Sequence, residues 1–339
     1  MLASPVAPTN PIVATIPFDE DGKHHGFLRL PYSRDDSAWG SVMIPITVVK
    51  NGDGPTALLT GANHGDEYEG PVALQALTRE IEPADVTGRV LIVPFMNTPA
   101  FRAGTRTSPI DRGNLNRSFP GAPDGTPTQK IADYFARFLA PMADFVLDFH
   151  SGGRTLDFVP FAAAHMLPDK AQQARSMAAV AAFGAPFSMQ MLEIDAVGML
   201  DTTAEAMGKT FVTTELGGGG TARAETAGIG KRGVRNLLRA VGILAGDPAP
   251  APTQWLDMLS GACFTFAEDE GLIEPLVDLG AAVAPGQPVA RVHRTTRTGL
   301  APVELAAGLD GILAARHFPG LVKQGDCAAV VAVPVAPPA

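Results

Sequence analysis

Cysteine is nearly absent from this 339-residue chain, which has only Cys263 and Cys327. Two thiols cannot make a disulfide framework, so the expected compartment is a reducing one, the cytoplasm. Cations are also scarce, with 26 Lys and Arg against 35 Asp and Glu and a formal net charge of −9. Phosphate backbones are gripped by clustered Lys and Arg, so no nucleic-acid partner is expected. No apolar run reaches the roughly 18 residues of a membrane span, and no membrane association is expected. The best candidate, AAVVAVPVA at 328–336, is short and broken by Pro. The stretch MLASPVAPTNPIVATIPFDEDG has neither a basic n-region nor a continuous apolar segment, so no secretory signal is expected. No fixed-period repeat runs along the sequence.

What is present fits a globular chain, with 46% hydrophobic and 18% charged residues. The length suffices for a sizeable core and for two domains, or one large domain with an appendage. Residues 1–50 read as β-rich, with FLRLPYS and SVMIPITVVK separated by polar turns. TALLTGA at 56–62, RVLIVPFMN at 89–97, DFVLDFH at 144–150 and KTFVTTE at 209–215 read as buried strands. Helical patterns fall at 70–82, 128–140, 170–184, 201–208 and 225–245. Residues 98–127 read as one long irregular loop, a length that is usually functional. Strands alternating with helices predict an α/β domain over 51–247 with a mixed, largely parallel sheet flanked by helices. GDPAPAPTQ at 246–254 reads as a linker. Beyond it, 256–335 has the short strands and Gly-Gln turns of a small all-β domain. The pattern is that of a lipoyl- or biotinyl-like β-sandwich, without the Met-Lys hairpin tip of a carrier.

Four stretches carry polar groups where α/β sheets place ligands, at strand ends or in the long loop. GANHGDEYEG at 61–70 offers His64 and Glu67, three residues apart and so on one side of a turn. An imidazole and a carboxylate suit zinc, whose catalytic sites use three protein ligands. Taken alone, the pair reads more readily as a charged surface turn. DFHSGG at 148–153 ends a strand on His150, which alone reads more readily as a structural residue. TELGGGG at 214–220 sets Glu215 at another strand end, as a base or as a loop charge. RTSPIDRGNLNRSFPG at 106–121 offers Arg106, Arg112 and Arg117 with Asn114 and Asn116, either a carboxylate grip or a solvated basic loop. Jointly they hold what metal-assisted amide hydrolysis requires: ligands, a carboxylate base and a cation for the oxyanion.

HGDE, NLNR, DFHSGG and TELGGGG, in this order, resemble the succinylglutamate desuccinylase and aspartoacylase family, a branch of the zinc carboxypeptidase-like fold. The resemblance covers about 52–245. It implies one zinc ion per chain on His64, Glu67 and His150, with Glu215 as general base and acid. It implies Asn116 and Arg117 on a substrate carboxylate, and Arg106, rather than Arg112, polarising the scissile carbonyl. GANHGDEYEGP, SPIDRGNLNRSFPG and TELGGGG resemble the subgroup that deacetylates N-acetyl-diaminobutyrate in ectoine breakdown. The implied substrate is therefore a small N-acyl amino acid. A different N-acyl amino acid, a carboxypeptidase reaction and a non-enzymatic metal-binding protein remain alternatives. A cationic substrate would need an acidic wall, for which MLEIDAVGMLDTTAE offers Glu193, Asp195 and Asp201. Two departures stand out. Asn114 replaces the Asp that in relatives supports a ligating His, and its amide oxygen is expected to accept the imidazole proton. No Tyr follows Tyr134, so the late Tyr of aspartoacylase-like members has no counterpart. Homo-oligomerisation is left open.

Overall fold

In the computed structural model, residues 9–191 and 195–338 are described. Runs such as TALLTG and FVLDFH have no exposed face, and every residue of Thr56–Gly61 and Phe145–His150 is buried. Such strands must be covered on both sides. Ala57, Leu59, Phe145, Leu147 and Phe149 point into one core, shared with helices Glu69–Glu80, Lys170–Phe183 and Ala224–Ala240. Leu58 and Val146, one residue out of step, point into a second core with helices Pro127–Tyr134 and Leu200–Ala206. The period-two alternation of a strand thus sorts one sequence into two helix-covered faces.

Local signals account for the helix positions. Thr126 and Gln129 form a reciprocal capping box with Pro127 in the first turn. Asp169 accepts from the backbone of Ala171 and Gln172 at the start of Lys170–Phe183. Gly233, inside Ala224–Ala240, lies where any Cβ would collide with the Phe183 ring. A helical glycine costs roughly 1 kcal/mol, and here it lets two helices close up.

The main sheet runs in the order Gly22–Pro31, Ser41–Asn51, Gly88–Val93, Thr56–Gly61, Phe145–His150, Thr210–Glu215, Phe161–His165, Phe187–Met191, Gln254–Met258, Cys327–Pro334 and Gly311–His317. It is mixed, as expected, but less parallel than the sequence pattern predicts. Gly88–Val93, Thr56–Gly61, Phe145–His150 and Thr210–Glu215 form one parallel block. Phe161–His165, Phe187–Met191 and Gln254–Met258 form another, antiparallel to the first. The N-terminal hairpin and the late strands also join antiparallel. Connection length accounts for two of these pairs, Gly22–Pro31 with Ser41–Asn51 and Gly311–His317 with Cys327–Pro334, whose links are too short for a parallel crossover; the other antiparallel pairs join strands distant in sequence.

The late residues divide between two sheets. Gln254–Met258, Cys327–Pro334 and Gly311–His317 extend the main one, while Val303–Ala306, Pro288–His293, Gly271–Pro275 and Leu321–Val322 form a separate small antiparallel sheet. Gly311–His317 also pairs with Leu156–Phe158, just beyond His150. That pairing brings the C-terminal region against the strand ends of the centre. Among the described residues, no helix is long and apolar enough to cross a membrane.

Candidate metal centre and substrate cavity

The chain leaves strand Thr56–Gly61 through Ala62, a non-glycine residue in the left-handed region at φ 52°. Such a conformation costs roughly 1 kcal/mol or more, so the surroundings must hold it. Asn97 N donates to Ala62 O at 3.1 Å, and Asn97 Nδ2 donates to Asn63 O at 3.1 Å. Gly65 lies directly against the backbone of Ala100 and Phe101, where a Cβ would clash. This tight turn presents His64 and Glu67 side by side at the end of the sheet. Both are buried.

His150 arrives from the adjacent strand. Its Nδ1 lies 3.0 Å from Glu67 Oε2, and His64 Nδ1 lies 2.7 Å from Glu67 Oε1. The two imidazole centroids are 5.0 Å apart. One donor atom from each of the three residues falls within 4.8 Å of the others. Ser151 N donates to Glu67 Oε2 at 3.1 Å and fixes that carboxylate from behind.

Asp148, two residues before His150, decides the tautomer. Its Oδ2 lies 2.9 Å from His150 Nε2 and 2.9 Å from Asn63 Nδ2, and its Oδ1 accepts from Thr60 Oγ1 at 2.6 Å. Carboxylates only accept, so His150 donates from Nε2 to Asp148. Its Nδ1 faces a second carboxylate, Glu67, and something positive must lie between them: a proton in the metal-free protein, in whose place a metal ion would sit. The titration of the group agrees with that demand for positive charge. Burial works against a charged His150, yet Asp148 and Glu67 outweigh it and raise its pKa well above the usual imidazole range. Burial likewise works against the Glu67 charge, but the two imidazoles hold its carboxyl well below the usual range. Burial lowers His64, which keeps it neutral and able to ligate. Two imidazoles and one carboxylate are the donor set of a catalytic zinc site, and this chemistry fits that ion.

For His150 the role expected of Asn114 falls to Asp148, to which the imidazole donates. Asn114 Oδ1 and His64 Nε2 are both buried without a hydrogen-bond partner, so no bond joins them. The sequence signal for Asp148 is D-x-H on a strand, a spacing that puts both side chains on one face.

The donor set opens on a cavity of about 330 Å³. Glu215 lines it and is register partner of His150 across parallel strands, so the two side chains leave the same face. Arg106 lines it too, with Nη1 3.6 Å from Glu67 Oε1. Arg112 instead occupies a turn with φ 58°. Asn116 and Arg117 line it as well. Asn116 Oδ1 accepts from Leu200 N at 3.0 Å, which leaves its Nδ2 hydrogens for a ligand. Arg117 Nη1 donates to Asn116 O at 2.7 Å, and its Nε lies 3.4 Å from Asp195 Oδ2. The structure thus brings all seven expected site residues to one cavity. Asp195 and Asp201 line it as well, and Glu193 lies outside the described residues.

The remaining wall was not legible in the sequence. Phe158 and Phe161 come from strands after His150, and Met258, Phe264, Phe266, Cys327 and Val330 come from the C-terminal region. No tyrosine contributes there, in line with the missing late Tyr. The substitute is an apolar surface with one thiol.

Comparison with known proteins bears on the same residues. The model of the succinylglutamate desuccinylase/aspartoacylase catalytic domain matches residues 53–241. The N-alpha-acetyl-L-2,4-diaminobutyric acid deacetylase of Halomonas elongata is 57% identical over 325 residues, covering 95% of each chain. The product-bound structure of the ectoine utilization protein EutE (DoeB) from Ruegeria pomeroyi superposes with a TM-score of 0.95 at 64% identity, covering 96% of this chain and 99% of that one. A succinylglutamate desuccinylase/aspartoacylase from Rhodobacter sphaeroides superposes with a TM-score of 0.92 at 40% identity, covering 96% of this chain and all of that one.

Proposed function

The chain belongs to the succinylglutamate desuccinylase/aspartoacylase family, and on that footing we propose that it is a zinc-dependent deacylase of N-acyl amino acids. Its substrate in this reading is N-alpha-acetyl-L-2,4-diaminobutyrate, cleaved by water to acetate and diaminobutyrate. One observation carries the reading: the His64, Glu67 and His150 donor set, Glu215 and the Asn116–Arg117 pair open on a single cavity. We assign the chemistry to residues 51–247, with 1–50 packed on that domain and 256–335 closing the cavity as a β domain.

Held by His64, Glu67 and His150, zinc supplies Lewis acidity toward a carbonyl oxygen and an attacking water. The rest follows from the side chains. The Glu215 carboxylate accepts the proton of the attacking water and passes it to the amide nitrogen as the C–N bond breaks. Arg106, whose guanidinium stands over the donor set, stabilises the charge that grows on the carbonyl oxygen. Asn116 Nδ2 and Arg117 hold the amino-acid carboxylate and fix the angle of attack. The apolar wall of Phe264, Phe266 and Met258 limits water around the reacting bond.

The test is turnover of a panel by the zinc-loaded protein: N-acetyl-diaminobutyrate, N-acetyl-aspartate, N-succinyl-glutamate and a short peptide with a free C-terminus. Cleavage of the first is expected to dominate. Glu215→Gln is expected to keep zinc and lose about 10²–10⁴-fold in kcat. Unchanged turnover in that variant, or preferred cleavage of the peptide, would overturn the reading.

A further inference from the structure

A second cavity, of about 430 Å³, meets the first at the reacting groups. Arg106, Leu156, Phe158, Glu215 and Cys327 line both, so the two cavities join at these side chains. Asn116 and Arg117 belong to the first alone, while Ser151, Thr155, His317 and Asp326 belong to the second alone. An amide held with its amino-acid carboxylate on Asn116 and Arg117, and its carbonyl at Arg106, sends its acyl group the other way, into the second cavity.

Backbone hydrogen bonds hold this cavity open. His317 is register partner of Leu156, and Phe318 N donates to Thr155 O at 2.8 Å. Leu156 N donates to Gly152 O at 2.9 Å and Gly152 N to Gly217 O at 3.0 Å, which ties the turn after His150 to the loop after Glu215. Two of the polar side chains are engaged by backbone. His317 Nε2 donates to Leu321 O at 3.0 Å, and Asp326 Oδ2 accepts from Lys323 N at 2.9 Å. Leu156, Phe158 and Cys327 supply apolar surface next to the reacting groups. A preformed lining of this kind suits an uncharged chain.

Size decides what it admits. The second cavity is the larger, about 430 Å³ against about 330 Å³, whereas an acetyl group has only two carbons. Each further methylene taken out of water favours binding by about fourfold. We infer that the second cavity is an acyl subsite for straight, uncharged chains of about four to six carbons, so that N-butyryl and N-hexanoyl amino acids are substrates alongside N-acetyl ones. Water cleaves the same C–N bond and releases butyrate or hexanoate in place of acetate. The inference rests on the deacylase reading for its reaction, and binding of the free acids tests the cavity apart from turnover.

Zinc-loaded wild type and Thr155→Trp are compared on N-acetyl-, N-butyryl- and N-hexanoyl-diaminobutyrate. Thr155 is exposed, and its bond to Phe318 N is made by its backbone oxygen, so the substitution fills the cavity and spares the fold. Wild type is expected to cleave the butyryl substrate with at least a third of the acetyl kcat/KM. Thr155→Trp is expected to lower that ratio tenfold or more, mainly through KM. A wild-type ratio below a third overturns the inference and needs no variant. So does a folded variant whose ratio is unchanged. Calorimetric titration with acetate and hexanoate reads the cavity without turnover. Hexanoate is expected to bind wild type at least tenfold tighter than acetate, and Thr155→Trp to lose that advantage. Equal binding of the two acids by wild type overturns the inference. A wild type that cleaves no N-acyl amino acid, yet shows a hexanoate advantage that Thr155→Trp removes, overturns the deacylase reading and leaves the cavity assignment standing.

Discussion

Replacing Asp148 with Asn tests whether the donor set is tuned from behind. The carboxylate serves three donors: Thr60 Oγ1 at 2.6 Å, Asn63 Nδ2 at 2.9 Å and His150 Nε2 at 2.9 Å. An Asn with its oxygen in the Oδ2 position keeps the bonds to Asn63 and His150. Its NH₂ then meets Thr60, whose hydroxyl can turn to accept. The fold should therefore survive. What disappears is a full negative charge behind His150. In the native protein burial works against that charge, but His150 outweighs it and holds the Asp148 carboxyl below its usual range. Removing such a partner weakens metal affinity by about 10–100-fold, or roughly 1.4–2.7 kcal/mol. The assay is competition for zinc against a chromophoric chelator at pH 7.5, with folding checked by circular dichroism on the metal-free protein. A folded variant that holds zinc within twofold of wild type would refute the reasoning, because backbone and packing alone would then orient His150.

Two further outcomes follow from buried groups near the cavity. Burial pushes the Cys327 thiol up to about 11. Only the thiolate reacts, so alkylation by iodoacetamide at pH 8 should run about 100-fold or more below that of an ordinary cysteine and rise roughly tenfold per pH unit. Mass spectrometry of the Cys327 peptide measures this, and rapid labelling at pH 8 would contradict it. Burial also raises Glu69 to about 7 from an ordinary 4.5. A raised folded pKa means the folded chain holds the proton more tightly. The stability this contributes is full below the unfolded value of 4.5 and is lost as pH climbs through 7. At about 1.4 kcal/mol per unit, Glu69→Gln should gain on wild type by up to about 3 kcal/mol between pH 4.5 and pH 8. Urea denaturation of the metal-free proteins at both ends of that window measures the gap, and a gap that does not move with pH would contradict the assignment.

Legibility in the sequence followed how far apart in the chain the cooperating residues lie. His64 and Glu67 share one turn, and Asn116 and Arg117 are neighbours, so short motifs display them. His150 and Glu215 are distant in sequence but each ends an apolar strand, and the parallel pairing that aligns them is what alternating strands and helices predict. Asp148 was within reach of the same logic. Its signal is faint because DFVLDFH scans as a buried core strand, in which a lone Asp between Leu and Phe carries no pattern of its own. The apolar wall was beyond any local signal. Phe264, Phe266, Cys327 and Val330 reach the cavity because Cys327–Pro334 pairs with Gln254–Met258 and with Gly311–His317, which pairs in turn with Leu156–Phe158. Those pairings are long-range, and nothing in the separate stretches announces them. The short motifs therefore display the donor set and Glu215, while the rest of the cavity lining is set by segments those motifs do not include. In this chain that surface is apolar, and segment 195–201 adds Asp195 and Asp201 to the cavity lining.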